Sequence, residues 1–245
     1  MLQNKQKEIE HDQKIKEDAE FFWGWATPAG KLRAERRSNM IISSVKSRGF
    51  SRVLEIGPGT GIFTEFFCKA GLDVYGVDIS FDLLKELKIK HSRKNILNLS
   101  VADVEAMPYC DSSFDAVVGV CVLHHFDIVP ALKEIGRVLK KGGIFLFSEP
   151  NMMNPQLALQ KNIRPIKRLS ILGETEDETA FFRWSLANNL KKVGFTDISI
   201  VPFDFLHPWT PPFMIPIVNM IGRIAEKIPL VKEIAGSLII KASVI

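Results

Sequence analysis

Nowhere in the 245 residues does an uninterrupted apolar run reach the ~18 residues that a membrane span requires. A transmembrane anchor is therefore not expected. The opening Met1-Leu2-Gln3-Asn4-Lys5-Gln6-Lys7-Glu8 also lacks the apolar core of a secretory signal. Cysteine is scarce: Cys68, Cys110 and Cys121 form no Cys-x-x-Cys pair and have no histidine at metal-ligand spacing. That excludes a disulfide framework and predicts a reduced, cytoplasmic protein with no metal site. Blocks of one charge are missing as well. The net charge is +4, yet the basic residues are interspersed with acids, as in Lys14-Ile15-Lys16-Glu17-Asp18, which is an ordinary solvated surface and not a nucleic-acid footprint. There is no internal repeat and no low-complexity tract.

What is present suits one large α/β domain with additions, since 46% of the chain is apolar and 24% charged. Residues 1–20 are polar and form a frayed leader or a solvated helix. Phe21-Phe22-Trp23-Gly24-Trp25-Ala26-Thr27-Pro28-Ala29-Gly30 then sets four aromatics beside helix-breaking residues, ahead of a basic helical stretch around Arg33, Arg36 and Arg37. Core packing outweighs a substrate-facing lid as its role. From 51 to 149, β-branched runs alternate with helical patterns, the mark of βαβ units and a parallel sheet. Strands are predicted at Arg52–Ile56, Asp73–Val77, Ile96–Val101, Phe114–Val120 and Ile144–Ser148. Helices are predicted at Gly61–Ala70, Phe81–His91 and Val129–Leu139, the last before the stop signal Lys140-Lys141-Gly142-Gly143. A helix over Ala180–Val193 then leads to strands at Asp197–Pro202 and Ser237–Ile245.

The chemistry gathers at the strand ends. Val53-Leu54-Glu55-Ile56-Gly57-Pro58-Gly59-Thr60-Gly61 is a strand running through a glycine turn into a helix, where missing side chains let a ligand approach the backbone. The third glycine comes one residue too early for Gly-x-Gly-x-x-Gly, which counts against a dinucleotide and its pyrophosphate. Asp78, at the end of the next strand, can accept from both hydroxyls of a ribose, a role that outweighs capping the helix near Ser80. Asp103, after the third strand, is placed to accept from an adenine amine, with the Val104 amide donating to a ring nitrogen. Together these three strand ends describe an adenosine site.

These pieces, with Phe-Asp-Ala-Val-Val at 114–118, Val-Leu-His-His at 122–125 and Leu-Lys-Lys-Gly-Gly at 139–143, occur in a fixed order. The chain resembles the class I S-adenosylmethionine-dependent methyltransferases, in particular the type 11, small-molecule branch that includes ubiquinone-biosynthesis-like enzymes. The resemblance runs from about residue 50 to 150, and more loosely to Pro202. It implies a Rossmann-like seven-stranded sheet, mostly parallel with the last strand antiparallel, helices on both faces and a helical cap. It implies S-adenosyl-L-methionine as cofactor and S-adenosyl-L-homocysteine as product. Glu55 and the backbone of Gly57, Gly59 and Gly61 would hold the methionine end, and Asp78, with Ile79 beside it, the ribose. Asp103 and Val104 would hold the adenine, and the main chain at Val120 and Cys121 would meet the amino group.

Methyl transfer is an in-line displacement in which alignment and exclusion of water supply most of the catalysis. If the acceptor is a hydroxyl, a base is useful and the candidates are His124 and His125, although packing or support of the cofactor loop outweighs that role for either ring. Glu149 and His207 are weaker choices. No Asn- or Asp-Pro-Pro-Tyr motif and no Pro-Cys nucleophile appears, so a nucleic-acid substrate is a minority reading.

The expected domains are an N-terminal helical or lid segment, 1–50; a core, 51–202, with a substrate-side insertion at 150–180; an apolar helical cap, 203–236; and a final strand, 237–245. In the cap, Pro208-Trp209-Thr210-Pro211-Pro212-Phe213-Met214-Ile215-Pro216 leads into Ile217, Met220, Ile221, Ile224 and Ile228 at helical spacing, with Arg223 and Lys227 on the other face. Packing onto the domain is the simplest role, ahead of a surface for an apolar or lipid-linked acceptor or a peripheral membrane contact through 208–230. A non-catalytic binding module and a nicotinamide oxidoreductase are the rival classes.

Overall fold

The computed structural model describes residues 18–91, 98–162 and 180–245, with residues 6, 9, 10, 13 and 15 of the leader. Seven strands form one sheet: β1 (Arg52–Ile56), β2 (Asp73–Asp78), β3 (Asn98–Val101), β4 (Phe114–Val120), β5 (Leu139–Pro150), β6 (Thr196–Phe203) and β7 (Ser237–Ser243). Their order is β3-β2-β1-β4-β5-β7-β6. The first five pair in parallel, and β7 lies antiparallel between β5 and β6.

Both faces of the central strands are buried, so successive residues serve opposite layers. Val53, Val118 and Leu146 pack against α2 (Pro28–Lys46) and α3 (Ile62–Lys69) through Ile41, Val45, Phe63 and Phe67. Leu54, Val117, Phe145 and Phe147 pack the other way, against Leu132 and Ile135 of α5 (Ile128–Val138) and Leu186 and Leu190 of α7 (Arg183–Val193). Between these, α1 (Ala19–Phe22), α4 (Phe81–His91) and α6 (Pro155–Asn162) complete the body. Beyond β6 come α8 (Ile215–Ala225) and α9 (Pro229–Lys232).

Several boundaries differ from the sequence pattern for identifiable reasons. The Lys140–Gly143 segment does not stop the chain: β5 begins at Leu139 and passes through a bulge, where Gly142 takes φ 75° and its amide bonds Val244 O at 3.0 Å. The helix expected from Ala180 begins at Arg183, because Phe181 bridges to Asn151 instead. Pro28, Ala29 and Gly30 open α2 instead of breaking a helix. Thr27 Oγ1 accepts the Gly30 amide at 2.9 Å, Pro28 fills the first turn, and a Cβ on Gly30 would lie 1.9 Å from Gly24 O. Residues 96–97 of the expected third strand, and 163–179 of the insertion after β5, lie outside the described residues.

Because β6 runs parallel to β5 and β7 returns antiparallel, residues 204–236 leave and re-enter at the carboxyl ends of the parallel strands. Arginines of α2 clasp them there. Arg37, wholly buried, and Arg33 reach Asp204 at 2.7 and 2.8 Å, and Arg36 holds Glu226 through two bonds of 2.8 and 2.6 Å. The attachment is polar. The apolar face of α8, expected to pack onto the domain, is exposed, and Gly222 against Phe205 is the buried residue of that helix.

Candidate functional site

Strand order reverses at β1: β2 and β3 follow on one side, β4 and β5 on the other. In open α/β sheets the loops on either side of such a reversal part beyond the carboxyl ends and form the crevice where ligands bind. The chain crosses it as Gly57-Pro58-Gly59-Thr60-Gly61, with all three glycines at positive φ (62°, 53° and 89°). Gly57 has no room for more, since a Cβ would stand 2.4 Å from Val122 Cγ2. The turn thus exposes backbone to the crevice and closes against β4's loop.

Glu55 stands under this turn, 2% exposed, and its Oε2 accepts the Thr64 hydroxyl at 2.6 Å. Burial pushes its pKa up to about 8; Thr64 opposes the shift and neighbouring Asp78 adds to it. Asp78, at the end of β2, accepts the Ser80 amide on Oδ1 at 2.9 Å and the Gly59 amide on Oδ2 at 3.1 Å. It ties the glycine loop to the β2 end, and it leaves the capping of α4 to Ser80, whose Oγ faces the Leu83 amide at 3.4 Å. Burial raises the Asp78 pKa, against those amide bonds and the nearby His125. A carboxylate has about four lone-pair sites, so these amides leave acceptor capacity for a ligand hydroxyl. Asp103 caps the short turn Val104–Ala106 by accepting the Glu105 amide at 3.0 Å, and Val104 is buried. Glu55, Asp78 and Asp103 thus stand at or just beyond the ends of three neighbouring strands, with Ile79 following Asp78.

Across the crevice, β4 ends at Val120, and Cys121 takes φ 54° with its amide donating to Ser148 O at 2.8 Å. A non-glycine residue held in the left-handed region is local strain that the surrounding bonds maintain. The following turn, Leu123–His125, is organised by Glu149 at the end of β5. Fully buried, Glu149 accepts the Val122 and Leu123 amides on Oε1 at 2.9 and 3.0 Å and meets His124 Nδ1 with Oε2 at 2.7 Å. A carboxylate only accepts, so Nδ1 carries the proton and Nε2 of His124 is the basic nitrogen. The His125 ring lies 4.2 Å from that of His124, centroid to centroid.

The aromatic N-terminal segment divides its roles. Trp25 is core, edge-on to Phe63 at 5.2 Å. Trp23 instead covers the glycine loop, its ring 3.3 Å from where a Gly59 Cβ would be, and Glu20 accepts the Thr60 hydroxyl at 3.0 Å while pairing with Lys90. Phe21 meets Trp209 at 5.1 Å, and Thr27 Oγ1 donates to Pro208 O at 2.6 Å. One strap therefore spans from the glycine loop to the segment after β6. The predicted site residues lie at the carboxyl ends of β1 to β5 or in the loops that follow them, whereas His207, in the segment after β6, lies with Gln156 at 2.9 Å. Sequence reasoning missed the strap's contact with Gly59 and the use of Glu149 as a support; only the cluster of aromatics hinted at the first. Among the described residues, no group of three or more His, Cys, Asp or Glu side chains could hold a metal ion.

Residues 54–147 match the family described as "Methyltransferase domain". A demethylmenaquinone methyltransferase of Renibacterium salmoninarum is 34% identical over 121 residues, 49% of each chain. The chain spans about half the length of the curated relatives it matches. Among solved structures, magnesium protoporphyrin IX methyltransferase from Synechocystis, with S-adenosylhomocysteine bound, superposes with a TM-score of 0.66 at 13% identity, over 99% of this chain and 100% of that one. An S-adenosylmethionine-dependent methyltransferase from Thermotoga maritima gives 0.64 at 19% identity, over 95% and 99%. At such identities the superpositions establish the fold.

Proposed function

We propose, from the match of residues 54–147 to the methyltransferase-domain family, that the chain is a class I methyltransferase that transfers a methyl group from S-adenosylmethionine to an oxygen or carbon of a small, apolar or lipid-linked acceptor. The observation that carries this reading is the alignment of Glu55, Asp78 and Asp103 along three neighbouring strand ends around a glycine loop. These residues fit the cofactor. Gly57, Gly59 and Gly61 leave backbone open where side chains would fill the space, and the protonated Glu55 beneath them is a carboxyl that a cationic ligand would ionise. Asp78 with Ile79 holds the ribose, Asp103 with Val104 the adenine, and the Val120–Cys121 main chain the amino group.

Bound there, S-adenosylmethionine supplies a methyl on a positive sulfonium and is released as S-adenosylhomocysteine. The chain's own contribution is alignment and dryness, with Trp23 over Gly59 excluding water from the loop. Where the acceptor is a hydroxyl, Nε2 of His124 takes its proton, and Glu149 fixes the tautomer and orientation that make this possible. An apolar acceptor is favoured by the exposed apolar residues of 208–230 at the same sheet edge, and the Renibacterium relative is named for a quinone.

Calorimetry with S-adenosylhomocysteine, on the natural chain and Asp78→Ala, tests the cofactor site. Loss of a charge-assisted acceptor predicts about ten- to a hundredfold weaker binding; equal affinity rejects the ribose assignment. Transfer of a labelled methyl group to quinone and lipid-linked phenol acceptors tests the rest. Tight cofactor binding without product from any of them would favour a binding module without turnover.

A further inference from the structure

The stretch from Trp209 to Ile234 leaves its apolar side chains in solvent. Along α8, Ile217, Met220, Ile221 and Ile224 recur at the spacing of one helical face, and each is 56–59% exposed. Phe213 before them is 80% exposed and Leu230 after them 85%. More than half of the exposed large apolar side chains among the described residues fall in this stretch. Scattered singly they would be ordinary; contiguous, they mark a surface that another apolar phase covers.

Length, charge and position indicate which phase. The 11 residues of α8 extend about 16 Å, roughly half a bilayer's hydrocarbon core, and no described helix is long and apolar enough to cross a membrane. Contact therefore lies along a surface. Glu226 is paired with Arg36 and Glu233 with Arg183, so both acids of the stretch are neutralised by arginines outside it, while its cations Arg223, Lys227 and Lys232 form no ion pair within 4 Å among the described residues. A two-fold dimer through this patch would set one copy's cations in the same interface as the other's, whereas an anionic bilayer offers the opposite charge. The stretch also begins at the strap, through Trp209 on Phe21 and Pro208 on Thr27, with Trp23 of the same strap on the glycine loop.

We propose that this face docks the chain on an anionic lipid bilayer. Phe213, Ile217, Met220, Ile221, Ile224 and Leu230 enter the acyl boundary, and Arg223, Lys227 and Lys232 reach the headgroups. The inference rests on the reading of the acceptor as apolar or lipid-linked, and it names the surface from which such an acceptor is drawn.

The test is sedimentation of the full chain with vesicles of phosphatidylcholine alone and of equimolar phosphatidylcholine and phosphatidylglycerol. Binding is expected to be stronger on the anionic vesicles and to weaken with salt, by roughly fivefold for each of Arg223, Lys227 and Lys232 changed to glutamine. The variant Phe213→Ser/Ile217→Ser/Ile221→Ser should lose vesicle binding while keeping its melting temperature and its S-adenosylhomocysteine affinity, because all three side chains are already in solvent. Equal binding to both vesicle types, or to neither, overturns the proposal. So does a dimer in light scattering that the triple variant dissociates while the natural chain ignores vesicles, since a second copy would then be the occupant. S-adenosylhomocysteine binding measured without vesicles separates the two failures: retained binding with no docking rejects only this inference, and docking without cofactor binding rejects only the methyltransferase reading.

Discussion

Replacing Glu55 by glutamine removes a carboxyl that the ligand-free fold keeps protonated, and the effect should depend on pH in a calculable way. In the unfolded chain this glutamate titrates near its ordinary 4.5; in the fold, burial pushes it to about 8. A carboxyl with a raised folded pKa favours folding fully below the unfolded value, and that contribution is lost as pH rises through the folded one. Between pH 6 and pH 9 the folded chain holds a proton that the unfolded chain does not, over the equivalent of about two pH units. At about 1.36 kcal/mol per unit, the natural chain loses about 2–3 kcal/mol of stability from this group across that range. Glutamine has nothing to lose. Its amide oxygen can still accept from Thr64, and whatever the substitution costs in packing is common to all pH values. The stability of Glu55→Gln minus that of the natural chain should therefore rise by about 2–3 kcal/mol from pH 6 to pH 9 in urea unfolding, with unchanged m-values. A difference that stays level across the range would show that Glu55 ionises as it does in water, and would refute the argument from burial.

Substitutions at three other residues test separate parts of the structure. Glu149→Ala orphans two buried amides and the His124 ring, and should lower stability by about 3 kcal/mol or more in urea. The milder Glu149→Gln should stay folded but alter the pH profile of methyl transfer to a hydroxyl acceptor; an unchanged profile removes His124 as a base. Asp204→Ala leaves the buried Arg37 without its carboxylate and should cost about 3–5 kcal/mol. Burial alone would raise the Asp204 pKa, but Arg37 and Arg33 together hold it well below the usual range, so its contribution is present above pH 3.8 and fades as pH falls. The gap between variant and natural chain should accordingly narrow in acid, and a constant gap would assign the loss to packing. Trp23→Ala uncovers Gly59 and should speed dissociation of S-adenosylhomocysteine in stopped-flow, whereas an unaltered rate would make the strap a bystander.

Short-range pattern determined most of the sheet. β1 and β4 span the predicted Arg52–Ile56 and Phe114–Val120, α4 spans the predicted Phe81–His91, and the early third glycine at Gly61 distinguishes this loop from a dinucleotide turn by spacing alone. These features are legible because each is set by neighbours a few residues apart: strand period, helix period, the φ that only glycine takes easily. α7 starts three residues later than its helical pattern because Phe181 pairs with Asn151, and β5 is longer than its apolar run because a bulge carries it through Gly142. Both depend on a distant strand. The same limit applies to the site. The sequence by itself placed Glu55, Asp78 and Asp103 at strand ends, but it could not show Glu149 gathering Val122, Leu123 and His124, Trp23 lying on Gly59, or the apolar face of α8 turned outward with its acids neutralised by α2 and α7. Those were decided by tertiary structure, because a buried carboxylate takes whatever donors folding brings to it, and a helix with one apolar face does not encode whether protein or another phase will cover it.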